Sequence, residues 1–334
     1  MKTVLFRSPF PLRRKWKDLY QGMQQSPFQS WYLNRLWFLV YGLKGKRRTF
    51  KPCFYLFVDE ERNNECIIPV LVNRRKKILA NFSHFGPLDY YDILCRNIDV
   101  VFLKDCLKSL FEKYPGYLMF FENVNEQSIL YKLLDEYEKT AAPCVRIEFR
   151  SSIYDDYFGS LSKHQRQNIR TAYNKLKKAN LNFSVVKYDA KNSIPRDVKK
   201  KCMKIYETRC AMKNGQRQGV LARIVAAKER HTNLINLMVR KAGSAVFVFF
   251  VESEPAAYLV CFYDEHRPIV YVPRLAVNVN FMKYDAGILL LNESIKCLLE
   301  ERIAVVDLTR GDEPYKYAMG GVTHYNYCYK SSCN

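Results

Sequence analysis

The chain has 334 residues, 48% of them hydrophobic, enough for one large or two medium globular domains that each bury a core. Lys and Arg number 54 against 33 Asp and Glu, a net charge of +21, which calls for a polyanionic partner such as nucleic acid, a membrane surface or a phosphorylated substrate or cofactor. Eleven cysteines with no C-x-x-C pair, and five histidines (His84, His164, His231, His266, His324) at no ligand spacing, argue against a disulfide framework and against a metal site.

The first twenty residues carry positive charge but no apolar h-region, so no signal peptide is expected, and a reduced cytoplasmic protein follows. Residues 31–43 are apolar but interrupted by Asn34 and Arg35, and are too short to span a membrane, which takes about 20 residues. With Lys44, Lys46, Arg47 and Arg48 beside them they form an amphipathic stretch, read as a helix docked on its own domain, with contact to the inner face of a membrane as the alternative.

Residues 1–150 alternate strand-like and helix-like stretches, as a mixed α/β domain does. Residues 52–58 and 66–72 pair as strands, 100–114 form a helix, 117–121 a strand and 126–139 a helix. Between them, 83–94 is a Gly-Pro turn carrying Asp89 and Asp92.

A second domain, 151–334, is entered through a strand at 144–149. The clearest helix follows Ser162, which makes a capping-box pattern with Gln165; Leu161, Ile169, Ala172, Tyr173 and Leu176 fall on one stripe. Lys163, His164, Arg166, Arg170, Lys177 and Lys178 take much of the remainder, either a solvated face or an anion-binding one. A strand at 182–188 and helices at 195–212 and 221–237 come next. Residues 244–251, 256–262 and 268–277 then form an antiparallel meander. A helix opens near Asp285 or Ala286, with Ile288, Leu291, Ile295, Leu298 and Leu299 inward. Gly287 in its first turn answers a need for close backbone approach, either to an anion on the free N–H groups or to the sheet beneath.

The short apolar run 303–306 reads as a buried strand that delivers the polar stretch 307–321 at its carboxy-terminal end, where open α/β sheets place ligands. That stretch, DLTRGDEPYKYAMGG, is either the first candidate site or a solvated turn leading to the aromatic strand 323–329.

Three stretches, SLSKHQRQNIRTAYNKLKK, RLAVNVNFMKYDAGILLL and VVDLTRGDEPYKYAMGG, resemble the CelD-type (BioF-like) acetyltransferase family of the GNAT superfamily, which is related to the Fem aminoacyltransferases of peptidoglycan synthesis. The Tyr-Lys pair after a strand and a Gly-Asp turn is the most specific feature; SPFQSWYLNRLW and FGPLDYYD extend the likeness over most of the chain. The resemblance implies an α/β fold of two GNAT-like lobes, each a mostly antiparallel sheet flanked by helices, with catalysis in the carboxy-terminal lobe. It further implies acetyl-CoA or another acyl-CoA as co-substrate and no metal. The pyrophosphate would lie on the backbone of Lys283, Tyr284, Asp285, Ala286 and Gly287, and the pantetheine arm between the strands ending near Val277 and Leu308. Where the superfamily motif has an Arg or Gln and spaced glycines, this chain has one glycine and an acid, with Lys283 near to offset it.

Acyl transfer needs a base for the nucleophile, a stabiliser for the oxyanion and an acid for the leaving group. Asp307, Asp312 and Glu313 are candidates for the base, Lys316 and Arg310 for the oxyanion, and Tyr315 for the acid; the choice made is Asp312, Tyr315 and Lys316. Asp307, Arg310 and Asp89 are assigned to the acceptor, a small molecule or glycan precursor. The competing arrangement has Asp307 and Arg310 as a structural ion pair and Tyr315 packed on the last strand. His324 is expected to be structural. The expected activity is acyl transfer from acyl-CoA to an amine or hydroxyl of a sugar, nucleotide-sugar or cell-envelope precursor. The alternatives are a Fem-like aminoacyltransferase using aminoacyl-tRNA, whose phosphates would use the charge, and a non-catalytic nucleic-acid or membrane-surface binding protein.

Overall fold

The computed structural model describes residues 1–23, 25–45, 49–84, 86, 88–213 and 243–333. The helix expected at 221–237 lies outside these residues. The chain divides into two compact units, Met1–Cys144 with His324–Asn334, and Val145–Thr323. The sequence-based boundary at 150 kept 151–334 together. The actual division falls inside a strand, and the last strand belongs to the amino-terminal unit.

In the amino-terminal unit, β1 (Lys2–Phe6), β2 (Lys51–Asp59), β3 (Asn64–Asn73) and β4 (Ile78–Asn81) pair antiparallel in succession. A two-residue strand, β5 (Leu94–Cys95), pairs with β3, and β6 (Leu118–Asn125) runs parallel to β4. Helices α1 (Arg13–Gly22) and α3 (Val100–Glu112) are amphipathic, α2 (Trp31–Trp37) has no exposed residue, and α3 is capped by Asp99, which accepts from the Phe102 N–H. The stretch expected to be docked, residues 31–43, is α2 continued by a π-helical turn, Phe38–Gly45; Trp37 is buried and stacks on Phe82 with ring centroids 4.1 Å apart. The helix expected at 126–139 is shorter. Only α4 (Ile129–Leu133) forms, and its first N–H groups are taken by a remote carboxylate, Asp92, at 3.0 Å from Ile129 and 2.9 Å from Leu130. Burial raises the Asp92 carboxyl to about 6 in spite of those bonds.

In the carboxy-terminal unit, β7 (Lys139–Glu148), which crosses the division, leads to α5 (Tyr154–Ser160), α6 (Lys163–Lys178), β8 (Phe183–Tyr188) and α7 (Arg196–Lys213). The expected meander is present as β9 (Ser244–Val251), β10 (Glu254–Tyr263) and β11 (Ile269–Val277). Helix α8 (Ala286–Glu300), strand β12 (Val305–Arg310), helix α9 (Pro314–Ala318) and strand β13 (Val322–Ser332) complete the chain. Within this unit the strand order is β7-β12-β11-β10-β9-β8. Strand β13 pairs antiparallel with β6 of the amino-terminal unit, joining Asn326 to Asn125 and Ser332 to Leu118. A parallel pair interrupts the antiparallel run in each unit, β4 with β6 and β11 with β12. The core of the carboxy-terminal unit is the face of β9 to β12 covered by α6 and α8, with Leu289, Leu290, Ile295 and Leu298 all but inaccessible to solvent. Ser162 caps α6 by accepting from the Gln165 N–H at 3.1 Å, but the Gln165 side chain turns inward and donates to the Met319 thioether at 3.3 Å, so only half of the capping box forms.

Candidate active site

The site arises where β11 and β12 stop pairing. Their parallel register joins Ile269 to Val305, Val270 to Val306 and Tyr271 to Asp307 and ends there, while β11 runs on to Val277. Two backbone irregularities drive the separation. In β11, Val272 and Pro273 together face the single residue Cys261, because the register shifts between Val260 and Phe262; this is a bulge, and Pro273 has no N–H to give a ladder. In β12, Thr309 has φ +53°, an uncommon conformation for a β-branched residue and one that costs about 1–3 kcal/mol. The kink is held by the Asp307 carboxylate, which accepts from the Thr309 N–H at 2.8 Å, and by the Thr309 hydroxyl, 3.4 Å from the Val272 carbonyl. The stretch 307–321, read as one polar loop, is therefore a kinked strand end, a turn that needs Gly311 at φ +100°, and α9.

Lys316 on α9 is 2% exposed. Its ammonium donates to the carbonyls of Thr309 (3.3 Å), Arg310 (2.7 Å) and Gly311 (3.0 Å) and pairs with the Glu313 carboxylate at 3.0 Å. It has no donor left for a substrate oxyanion and instead fixes the turn that α9 starts from. Tyr315, the neighbouring residue, is half-buried against the core, and burial first, then the charge of Glu313, pushes its phenol up to about 12 against a smaller opposing pull from Arg209. Asp312, Glu313 and Arg310 are exposed, and Asp307 is buried within β12. Asp89 belongs to the amino-terminal unit, is 5% exposed, and offers its backbone carbonyl to the Asn326 amide at 2.9 Å. His324, in the same unit, is buried between the Tyr90 hydroxyl (3.4 Å) and the Asn125 amide (3.3 Å), as expected of a structural histidine.

Beyond β11 the chain makes a 3-10 turn, Val279–Tyr284, and enters α8 through Asp285 at φ +55°. The Asp285 carbonyl accepts from Ile288 and Leu289, leaving the Ala286 and Gly287 N–H groups at the open end of the helix, where the dipole favours an anion. Gly287 rests on the strand: a Cβ there would sit 2.7 Å from a Val277 methyl and 3.4 Å from one of Leu275. The Asp285 carboxylate is met by Lys175 of α6 at 2.6 Å, whereas Lys283, the neighbour in sequence, lies over the Tyr284 ring at 4.9 Å. The basic face of α6 is partly spent on structure, since Arg166 donates to the Gly159 and Leu161 carbonyls and Arg170 lies over the Phe158 ring. Two arginines that sequence reasoning passed over also reach this region: Arg209 of α7 donates to the Leu275 carbonyl at 2.8 Å, and Arg274 of β11 stacks on Tyr206 at 4.2 Å. The signal for the second was a Pro-Arg interruption in the otherwise apolar strand IVYVPRLAV.

Residues 163–317 match the family model described as acetyltransferase (GNAT) domain. The chain is similar in structure to a conserved protein of unknown function from Bacteroides thetaiotaomicron, with TM-score 0.59 and 14% identity over 99% of this chain and 100% of that one. It is also similar to FemX (TM-score 0.56, 10% identity, 98% of this chain and 97% of the other). A third likeness is to a tandem GNAT protein from the clavulanic acid biosynthesis pathway (TM-score 0.52, 7% identity, 100% and 98%). No curated protein matches the sequence significantly. The fold is two lobes, each a mixed, mostly antiparallel sheet flanked by helices, as in the tandem GNAT protein, and residues 163–317 carry the match to the GNAT domain. Among the described residues no helix is long and apolar enough to cross a membrane, and no group of three potential ligands stands where it would hold a metal.

Proposed function

We propose that the carboxy-terminal unit transfers an acyl group from acyl-CoA to an amine or hydroxyl, on a sugar, nucleotide-sugar or cell-envelope precursor, as a CelD-type member of the superfamily. The observation that carries this reading is the parting of β11 from β12 after Tyr271 and Asp307, with a protonated phenol, Tyr315, at the start of α9 beyond it. A thioester arm laid along the open edge of β11 meets unpaired backbone groups there. The N–H groups of Ala286 and Gly287 receive the pyrophosphate, and Lys175 neutralises the one acid beside them, Asp285.

In this reading Tyr315 is the general acid. Attack on the thioester carbonyl gives a tetrahedral intermediate. Its collapse breaks the C–S bond, and the phenol delivers its proton to the departing sulfur while the acceptor's proton leaves to solvent by way of Asp312 or Glu313; solvent then returns a proton to the phenolate. Lys316 is a positioning residue that holds α9 in place. The FemX likeness and the charge of +21 favour a second reading, in which the donor is aminoacyl-tRNA. Thiol release from acetyl-CoA, followed with a panel of amino sugars by wild type and Tyr315→Phe, tests the first. Amine-dependent release that falls about a hundredfold in the variant supports it, and release from no acyl-CoA with any amine counts against it.

A further inference from the structure

Arg274 stands in β11 opposite Val260 of β10, and its guanidinium lies over the Tyr206 ring of α7, 4.2 Å from the centroid. Among the described residues no carbonyl or carboxylate accepts from this guanidinium, and its Nε is closed off from solvent. Arg274 is half-buried, a buried donor such as its Nε is costly to leave without an acceptor, and a strand made otherwise of Ile, Val, Tyr, Pro, Leu and Ala has no packing need for a cation. Stacking on Tyr206 holds the fork in one orientation, so little conformational freedom remains to be lost when an acceptor arrives. Arg209 lies one turn further along α7, tied to the next residue of the strand through the Leu275 carbonyl, and its charge reaches the Tyr315 phenol.

Successive residues of a strand point to opposite faces. Leu275 and Val277 lie beneath Gly287 of α8, whereas Arg274 faces α7. The cation is therefore on the other side of β11 from the helix end assigned to the donor's pyrophosphate. We infer that Arg274, with Arg209 beside it, binds a phosphate or carboxylate group of the acceptor and thereby sets the nucleophile at the Tyr315 end of the gap between β11 and β12. This rests on the acyltransferase reading, which alone defines the acceptor, and it narrows the acceptor class to anionic amines or alcohols.

The test titrates inorganic phosphate and, separately, acetate into the intact protein, with and without saturating acetyl-CoA, and follows thermal stability. The expected result is a saturable rise in melting temperature with at least one of the two anions. Its midpoint moves at least tenfold higher in Arg274→Gln, moves several-fold in Arg274→Lys, where charge remains but the fork is lost, and stays unchanged in Lys108→Ala, an exposed lysine of α3. The anion that acts at the lower concentration identifies the group. No shift with either anion overturns the inference, and so does an equal shift in wild type and Arg274→Gln, which would place the binding elsewhere on a strongly basic surface. Should Arg274→Gln not fold, the Arg274→Lys comparison decides alone. An anion shift that survives when acetyl-CoA has no effect would sink the donor assignment while leaving the anion site standing.

Discussion

Tyr271 and Asp307 are the last register partners of the parallel strands β11 and β12, and no pairing joins the two strands beyond them. Asp307 does more than end the ladder, because its carboxylate holds the N–H of Thr309 in the left-handed conformation that turns β12 away. The gap is thus built by the backbone, and its kink is held by one buried side chain, Asp307.

Replacing Tyr315 by Phe removes the proposed acid and little else, since the ring and its packing remain. The turnover number is expected to fall about a hundredfold with the Michaelis constant for the donor nearly unchanged. Because burial holds the phenol near 12, it stays protonated through the neutral and mildly alkaline range, so the wild-type rate should show no fall due to this group below about pH 11. A falling limb centred near pH 9 that vanishes in the Phe variant would contradict the assignment.

Lys316→Met leaves three carbonyls of the Thr309–Gly311 turn without their donor, that of Thr309 buried and those of Arg310 and Gly311 partly so. Loss of about 3 kcal/mol in urea unfolding is expected, with activity falling because α9 loosens. A variant as stable as wild type but inactive would point to direct chemistry by the lysine.

A stability prediction comes from the amino-terminal unit. Burial alone would raise the Glu65 carboxyl, but hydrogen bonds and charge from Lys15 and Arg96 outweigh it and hold the group below the usual range. Its contribution is therefore fully present above the ordinary carboxylate value and is lost as the pH falls through the depressed one. Glu65→Gln should destabilise by about 2 kcal/mol at pH 7, a figure reduced because both partners are partly exposed. The gap between the two proteins should close toward pH 3 in chemical denaturation; a gap independent of pH would mean that the glutamate acts through packing alone.

Gly287→Ala brings a methyl group within 2.7 Å of a Val277 methyl, so the helix start or that side chain must shift to make room. The expected cost is small, about 1 kcal/mol, because the better helix propensity of Ala opposes the clash. Gly287→Val should cost more, and should also weaken acetyl-CoA binding, by shifting the start of α8 from the strand. Undiminished acetyl-CoA affinity in the Val variant, measured by calorimetry, would remove the helix end from the donor site.

Elements with a regular hydrophobic period were legible from the sequence. The meander β9 to β11 and helix α8 appear within a few residues of their expected ends, because alternation and the inward stripe of Leu291, Ile295 and Leu298 report burial directly. The helix expected at 126–139 was over-extended: ILYKLLDEYEK has helical spacing, yet Leu134 leaves the helix and Lys139 already opens β7. Within the site, Tyr315 and Gly287 could be picked out because each is an unusual residue beside a recognisable element. Partnerships could not. Lys175 and Asp285 are 110 residues apart, and Lys316 folds back on carbonyls that no side-chain pattern encodes. That Arg274 finds no acceptor among the described residues is visible only once its surroundings are known.

The most direct test of the central claim is the thermal stability of the intact protein with acetyl-CoA, longer acyl-CoAs and free CoA, because a ligand at 100 times its dissociation constant adds about 2.7 kcal/mol. The acyl-CoA reading predicts a saturable rise that is reduced in Gly287→Val relative to that variant's own baseline. No rise with any CoA species at millimolar concentration, in a protein that aminoacyl-tRNA does stabilise, would contradict it and transfer the site to the aminoacyl donor.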